Sequence, residues 1–293
     1  MRLGYSISSA QPIDRPAAES ASALLDRARI ATDAGIDYVQ AGDHHVIADS
    51  NYFQNVPTLA RMTESVDHVA SLFLLPLHSP VLVAEHCGTL AAFADQFDLW
   101  CAIGYNEAAF DAFGVPMSER ASRFEESLRL IEALSSGDGV SFDGEFYGVE
   151  DVSINPKADI DRICIGGGAE PAVRRAGRMG DAWAAAPGET AADLERKLAW
   201  FEDAGGGDVL LRRDALVLED GDRAEEIAAE KLAGGYRGFD EDADCLLVCD
   251  SEDVASELES LEDVGVDEVV VRPMSETHAE ETLRECGRAG ELL

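Results

Sequence analysis

Three consecutive titratable side chains, Asp43, His44 and His45, are the residues of this chain best suited to do chemistry. Histidine changes protonation near neutral pH, so the group offers a general acid or base, hydrogen bonds to a cofactor, or metal ligands. Adjacent side chains leave an extended backbone on opposite sides, so we expect one histidine to point into a site, and we favour His44. In the alternative interpretation the histidines only cap a strand. No metal site is predicted, because no other histidine or acidic cluster has ligand spacing.

The residues before Asp43 predict the helix and the strand that position the three side chains. A helix ends at Gly35, because glycine closes a helix in the left-handed conformation at no steric cost. The run Tyr38–Ala41 is short and β-favouring, as in a strand buried on both faces. Asp43 to His45 therefore follow the carboxyl end of a strand, where α/β proteins place their chemistry. We interpret this position as a candidate active site.

A glycine run and one arginine are candidate anion ligands. Gly166, Gly167 and Gly168 with Ala169 lie between a predicted strand and a predicted helix, where backbone N–H groups can close on a phosphate. The alternative is a tight turn without a ligand. Arg120 falls in the first turn of another predicted helix, where pairing with a phosphate and a surface ion pair are equally consistent with the sequence.

The order of predicted elements indicates a closed (β/α)8 TIM barrel, because eight strand candidates alternate with stretches of helical periodicity. We expect a single domain over residues 1–293, with a β-hairpin insertion at about 137–161 after the fourth βα unit. The predicted strands are Leu3–Ile7, Tyr38–Ala41, His68–Leu75, Leu99–Ile103, Arg162–Ile165, Asp181–Ala185, Val209–Val217 and Glu268–Arg272.

The composition is strongly acidic, with 58 acidic and 23 basic residues and a net charge of −35. Such a surface repels nucleic acids and anionic membranes, so neither is an expected partner. A diffuse acidic coat favours a halophilic protein over an ordinary acidic one. The six cysteines form no Cys-x-x-Cys pair, and neither a signal sequence nor a membrane-length apolar run is apparent. We therefore expect reduced thiols and a cytoplasmic location.

The motifs, taken in order, resemble those of the luciferase-like flavin and deazaflavin oxidoreductases over nearly the whole chain. The (β/α)8 barrel of that family agrees with the fold predicted above. The segments that carry the resemblance are Gly42-Asp43-His44-His45, Leu75-Pro76 with Pro80-Val81 and Ala84-Glu85, Gly104 with Phe110 and Phe113-Gly114-Val115, Arg120 with Arg123-Phe124-Glu125-Glu126, Ile165-Gly166-Gly167-Gly168, and Arg174 to Trp183.

The resemblance implies roles for individual residues. His44 and His45 would line the face of the flavin-type ring, and Ser71-Leu72 matches a cis non-proline peptide that supports the ring from behind. Gly104 belongs to the cofactor-binding residues, and the glycine run with Arg120 would hold the cofactor phosphate. Two departures weaken phosphate recognition: Phe93 to Phe97 replaces a Ser-Gly-Gly-Arg turn, and Tyr105-Asn106 replaces part of a basic or glycine-rich loop.

Taken together, the sequence predicts an oxidoreductase that uses the reduced deazaflavin coenzyme F420 for hydride transfer with a small-molecule substrate. F420 is preferred over FMN because acidic composition is typical of halophiles, many of which are archaea that make this coenzyme. The alternatives are an FMN-dependent luciferase-like monooxygenase, a non-catalytic flavin-binding barrel, and a metal-dependent hydrolase using Asp43 and His44. Relatives are commonly homodimers, and an interface near Leu82, Cys87 and Leu90 is expected.

Overall fold

The computed structural model describes residues 1–236, 239 and 245–290. All eight predicted strands are present, each within three residues of its predicted bounds. The strands in chain order are β1 (Arg2–Ser6), β2 (Ala10–Pro12), β3 (Tyr38–Ala41), β4 (Ser50–Tyr52), β5 (His68–Leu74), β6 (Gln96–Ala102), β7 (Val140–Asp143), β8 (Gly148–Val152), β9 (Arg162–Gly166), β10 (Ala182–Ala185), β11 (Asp208–Leu218), β12 (Leu247–Asp250) and β13 (Glu268–Pro273).

Helices separate most of these strands, and short 3-10 turns occur at Leu75–Leu77 and Met117–Glu119. No described helix is long and apolar enough to cross a membrane. The α-helices are α1 (Ala17–Asp33), α2 (Asn55–Met62), α3 (Pro80–Ala91), α4 (Glu107–Phe113), α5 (Arg120–Ser136), α6 (Glu170–Met179), α7 (Ala191–Ala204), α8 (Gly221–Ala233), α9 (Val254–Asp263) and α10 (Ala279–Gly290).

The chain divides into two compact units that alternate along the sequence. The first unit contains residues 1–8, 23–40 and 165–293, and its parallel strands pair in the order β10, β11, β13, β1, β3. The last residues of β11 also pair with β12. The prediction of a single domain over 1–293 stays a prediction.

The second unit contains residues 9–22 and 41–164 and holds the candidate catalytic residues. Strands β5 and β6 pair in parallel from His68 to Leu74 without a bulge. Two antiparallel pairs accompany them: β2 with β4, and β7 with β8. The second of these pairs lies inside the segment 137–161 for which the sequence predicted a hairpin.

Two glycines close helices, and the sequence predicts the first of them, Gly35. Gly35 follows α1 with φ 91° and Gly265 follows α9 with φ 96°, a region that glycine enters without a Cβ clash. Each is followed by a buried strand, β3 or β13. The two junctions therefore have the same local structure.

Five of the six cysteines are buried, Cys249 is partly exposed, and all six are free thiols. Burial raises the pKa of the Cys249 thiol to about 12, and carboxylates around it, led by Glu257, act in the same direction. The predicted interface is wrong for Cys87 and Leu90, because both side chains pack inside the core of their own chain. Leu82, on the same helix, is 45% exposed.

Candidate active site

A buried carboxylate, Asp43, lies at the centre of the candidate site. Its Oδ2 accepts a hydrogen bond from the backbone N–H of Leu74 at 2.9 Å and lies 2.7 Å from Nε2 of His78. Its Oδ1 lies 2.9 Å from Nε2 of His45. The two histidine Nε2 atoms are 3.4 Å apart. One carboxylate thus joins two imidazoles that are 33 residues apart in the sequence.

The ends of two strands bring these groups together. Asp43 and His45 follow β3, and their i, i+2 spacing places both side chains on one side of the extended backbone, with His44 between them. His78 follows β5 through the 3-10 turn Leu75–Leu77. The Leu74 N–H, at the end of β5, fixes the Asp43 carboxylate. Strand ends and a short turn therefore set the geometry.

Asp43 is fully buried, yet its surroundings favour the ionised carboxylate. Burial alone would raise its pKa, but the contacts with His45 and His78 and the Leu74 N–H outweigh burial and hold the pKa of Asp43 well below its usual range. A buried carboxylate of this kind orients neighbouring imidazoles and balances a positive charge on them.

His44 has a different environment from His45. Its ring contacts the rings of Tyr52 and Tyr105 edge-on, with centroid distances of 5.7 and 6.0 Å. Its backbone carbonyl accepts a hydrogen bond from Gln54 Nε2 at 3.2 Å. Burial raises the pKa of the Tyr52 hydroxyl, which therefore stays protonated and able to donate.

The backbone immediately after the histidines is strained. Val46 has φ 58°, in the left-handed region that a β-branched residue rarely adopts. Strained residues of this kind persist where the surrounding structure enforces them, and they concentrate at functional sites. The conformation directs the chain away from His45 within a single residue.

Aromatic rings surround the two histidines that contact Asp43. Phe73 meets the ring of His78 edge-on with centroids 5.7 Å apart, and Phe113 lies 4.8 Å from the ring of His45. On the other side of Phe73, His86 stacks at 6.4 Å. Partial burial lowers the pKa of His86, and the nearby His78 adds to this effect.

His78 and Asn106 are site residues that the sequence reasoning missed. Asn106 caps α4 by accepting from Ala108 N at 3.2 Å, and its Nδ2 donates to the backbone carbonyl of His45 at 3.4 Å. Both residues follow the carboxyl ends of strands, β5 and β6, and that position is the signal that could have revealed them. Asn106, read from the sequence as a departure, therefore helps to position the site.

Comparison with known proteins decides the family. Residues 1–268 match the luciferase-like monooxygenase family. The chain belongs to this family. Family members include F420-dependent and FMN-dependent oxidoreductases and monooxygenases.

This luciferase-like chain is similar in sequence to one curated relative and in fold to two solved structures. It is 29% identical to an F420-dependent glucose-6-phosphate dehydrogenase from Beutenbergia cavernae over 207 residues, 64% of this chain and 57% of the relative. A monooxygenase from Streptomyces bottropensis superimposes with a TM-score of 0.84 at 18% identity, covering 99% of this chain and 98% of that one. The oxygenating constituent of 3,6-diketocamphane monooxygenase from Pseudomonas putida, in complex with FMN, gives 0.80 at 16% identity, covering 99% and 97%.

These structural likenesses show the fold of the luciferase-like chain, a closed (β/α)8 barrel, and confirm the predicted fold class. The chain spans about half the length of the curated relatives it matches. The activity of any relative is therefore a basis for a proposal only.

The expected cis peptide at Ser71-Leu72 is absent from the luciferase-like chain. The bond is trans. The physical reason is local: β5 runs through Ser71 and Leu72 in unbroken register with β6. The carbonyl of Leu72 accepts from Asn55 Nδ2 at 2.6 Å, and Ser71 is buried with no hydrogen-bond partner for its hydroxyl.

The backbone conformation and the packing at Gly104 both favour glycine. Its φ of 77° lies in the left-handed region, and a Cβ at this position would approach Cε2 of Phe110 to 3.0 Å. Phe110 is buried in a small core with Leu74, Leu77 and Ala109. Gly104 therefore fits the loop after β6 tightly against that core.

Arg120 is half-buried at the start of α5. Its Nη1 donates to the carbonyl of Met117 at 2.9 Å, while its buried Nε has no hydrogen-bond partner. A buried guanidinium N–H without an acceptor is costly, so an anion at this position would be stabilised. Of the two interpretations of Arg120, the geometry favours anion binding over a surface ion pair.

The glycine run belongs to the first unit and precedes α6. The helix begins after Ala169 with no side-chain cap. A Cβ on Gly167 would clash with Cβ of Ala172 at 2.5 Å, and one on Gly168 would approach Glu189 Oε1 to 2.7 Å. Glu189 is in turn ion-paired with Lys197. Pro171 has no N–H, and the N–H groups of Ala172 and Val173 donate to the Ala169 carbonyl, so contacts with an anion would have to come from the N–H groups of residues 168–170.

Proposed function

We propose that this protein is an oxidoreductase that uses reduced coenzyme F420 for hydride transfer to or from a small organic substrate. The carrying observation is the group of Asp43, His45 and His78 beside His44, placed after the ends of β3 and β5 in a chain of the luciferase-like family. The similarity to an F420-dependent dehydrogenase supports the deazaflavin over FMN.

The residues of the chain would supply the proton chemistry. A bound deazaflavin provides the hydride, and the protein binds and orients it. His44 would donate a proton to the substrate oxygen as hydride arrives, with the protonated Tyr52 hydroxyl beside its ring. Asp43 would hold His45 in one orientation through its carboxylate. We propose a substrate with an alcohol or carbonyl group, because such a group exchanges a hydride at carbon and a proton at oxygen.

Each of the two units offers a candidate contact for a cofactor phosphate. Arg120 offers a buried Nε that has no acceptor. The glycine run Gly166 to Gly168 with Ala169 offers the uncapped start of α6. We also propose that the cofactor contacts Ser71, Leu72 and Gly104. Ser71 and Leu72 would do so from the regular strand β5, without the cis peptide bond expected from the sequence.

An FMN-dependent monooxygenase is the second candidate. The specific support is the fold likeness to a monooxygenase solved with FMN, at a TM-score of 0.80. A barrel that binds a flavin without turning it over is the third candidate, because Tyr105 and Asn106 replace a basic or glycine-rich loop.

The deciding experiment is a titration of the purified protein in molar salt with F420 and with FMN, followed by fluorescence quenching. Saturable binding of F420 alone is the expected result. Preference for FMN would favour oxygen chemistry, and tight binding of a flavin that no donor reduces would favour a binding barrel. Binding of neither cofactor would contradict the proposed function.

A matched pair of variants on α5 tests the phosphate contact. Arg120→Met should weaken cofactor binding by about 10- to 100-fold, because a charged hydrogen bond is lost. Arg129→Met removes the same charge from the exposed side of the same helix and should leave binding unchanged. Equal effects of the two substitutions would mean that only net charge matters.

We also propose that the protein forms a homodimer through α3. Leu82 is the exposed apolar side chain on this helix that carries the proposal. Size-exclusion chromatography with light scattering should give twice the 31.4 kDa mass, and Leu82→Glu should lower it to the monomer value. A monomeric wild-type protein would contradict the dimer.

A further inference from the structure

We propose that Asp43, His45 and His78 bind a divalent first-row transition-metal ion such as Zn²⁺. In the part of the chain that the structure describes, theirs is the one group of three histidine, cysteine or acidic side chains whose donor atoms lie within 4.8 Å of one another. The sequence showed no such set because His78 is far from the other two residues along the chain.

The separations of the donor atoms suit a common metal ion. Oδ1 of Asp43 lies 2.9 Å from His45 Nε2, and the two Nε2 atoms lie 3.4 Å apart. Two ligand atoms each about 2.0 Å from a tetrahedral Zn²⁺ would be ~3.3 Å apart. A small movement of the side chains would thus place all three atoms on one ion.

In the present geometry Oδ1 of Asp43 has no aligned hydrogen bond, because His45 Nε2 lies 2.9 Å away but is aligned with His78 Nε2. His78 Nε2 lies 2.7 Å from Oδ2, and a proton directed there prevents it from accepting one from His45. Rotation of the His45 ring toward Oδ1 would satisfy the carboxylate by hydrogen bonds, whereas a cation between the three donor atoms would satisfy it without that rotation.

The donor set indicates the chemical class of the ion. Two imidazoles and one carboxylate bind Zn²⁺ in hydrolytic enzymes and Fe²⁺ in oxygenases, and they leave positions open for a substrate or water. The Leu74 N–H holds Oδ2, so Oδ1 is the oxygen directed at the ion. A backbone donor to a ligating carboxylate is the kind of support that metal sites require.

The surroundings allow an ion to enter and then keep it. The side chains of His45 and His78 are 14% and 18% exposed, which leaves a path from solvent, while Asp43 is fully buried. Phe73 and Phe113 line the two imidazoles and lower the local polarity. Because opposite charges attract strongly in surroundings of low polarity, a divalent cation gains from a position beside the buried Asp43 carboxylate.

The metal site does not depend on the proposed cofactor. Both proposals use Asp43, His45 and His78, but the metal site needs only the positions of their donor atoms, whereas the cofactor proposal also needs His44 and the phosphate contacts. Metal binding is therefore measured without F420 or FMN, and cofactor binding is measured on metal-free protein, so either proposal can fail without the other.

The experiment uses the full chain, stripped of metal with EDTA and dialysed into molar salt. Zn²⁺ is titrated calorimetrically, and Co²⁺ is titrated while its visible d–d absorption is recorded. We expect one equivalent of either ion and an intense Co²⁺ spectrum of low coordination number. A binding ratio far below one, or the weak spectrum of hydrated Co²⁺, would overturn the proposal on the wild-type protein alone.

Variants then assign the ligands. His78→Ala and Asp43→Asn should each weaken Co²⁺ binding by about 100-fold or more, since even the loss of an outer hydrogen bond typically costs 10- to 100-fold. His86→Ala is the control, because His86 stacks on Phe73 but belongs to no ligand set. If His78→Ala, folded by circular dichroism, binds Co²⁺ like the wild type, the ion lies elsewhere and the proposal is wrong.

Discussion

At the scale of single residues, the adjacent side chains of His44 and His45 have different surroundings. His45 is fixed by the Asp43 carboxylate and by Asn106 at its backbone, whereas His44 packs edge-on between Tyr52 and Tyr105. A histidine that shares its carboxylate with a second imidazole is suited to a fixed structural or ligating role. A histidine held by ring edges is better suited to exchange a proton with a substrate.

His44→Ala tests this division of roles. We expect turnover to fall by about 10²- to 10⁴-fold while the dissociation constant of the cofactor changes little, because proton transfer is lost but the binding contacts remain. Steady-state kinetics and fluorescence quenching measure the two quantities separately. His278→Ala, which removes a histidine in contact with Ser275, is the control. Unchanged turnover in His44→Ala would remove His44 from the mechanism.

At the scale of elements, the site is built by segments that follow strands. Asp43 and His45 follow β3, His78 follows β5, and Gly104 with Asn106 follows β6. Each segment is short and fixed by a specific device: a turn of 3-10 helix, a left-handed glycine or a helix cap. Because the strands themselves are regular, these short segments decide where the site residues lie.

Two glycines on either side of α4 provide a matched test of how a left-handed glycine fixes such a segment. Gly104 and Gly114 both have positive φ, 77° and 68°, but a Cβ on Gly104 would press on Phe110, while one on Gly114 meets nothing within 4 Å. Each alanine should cost about 1 kcal/mol for the backbone. Gly104→Ala should cost more than Gly114→Ala in urea unfolding. Equal losses would show that Phe110 adjusts freely.

A second prediction at the scale of elements concerns Asp98, near the start of β6. Burial opposes ionisation of Asp98, but His68 at 3.3 Å and Arg162 at 3.0 Å outweigh burial and lower the pKa of Asp98. A lowered carboxyl pKa stabilises the fold above the unfolded value of about 3.9, and this stabilisation is lost as pH falls through the folded value.

Asp98→Asn should therefore lower the free energy of unfolding by about 3 kcal/mol at pH 7, because Arg162 loses its buried partner. The gap from wild type should shrink as the pH falls below about 4. Urea unfolding across this range measures it, with Asp95→Asn on the exposed turn before β6 as control. A gap that stays constant down to pH 3 would contradict the ion-pair explanation.

Sequence patterns predicted the elements better than they predicted the site. Short apolar runs such as Tyr38–Ala41 mark buried strands directly. The start of β6 was missed by three residues because Asp98 looks like a surface residue until its partners are known. His78 was missed for the same reason: its partner Asp43 is 35 residues away, and only the fold brings the ends of β3 and β5 together.

At the scale of the whole molecule, charge is the dominant property. A net charge of −35 over 293 residues produces strong self-repulsion in the folded state. Some acids are paired locally, as Asp33 is with Arg29 and Glu280 with Arg284. With 58 acids against 23 bases, most acids have no basic partner to pair with.

Added salt should therefore stabilise the protein. We expect the midpoint of thermal unfolding to rise by at least about 3 °C between 0.05 and 1 M KCl, since screening removes repulsion worth about 1 kcal/mol or more. NaCl at equal ionic strength should act alike, because screening does not depend on the identity of a monovalent cation. A midpoint that stays constant or falls would contradict the importance of self-repulsion.

The burial of the thiols makes this chain convenient for site-specific labelling. Maleimide and similar reagents attack the thiolate; burial makes five of the thiols inaccessible, and the pKa of the partly exposed Cys249 is raised to about 12. A cysteine introduced on the surface would be the fast-reacting group of the native protein. A fluorophore or spin label could thus be placed beside His44, for example at exposed Val46, without first removing the natural cysteines.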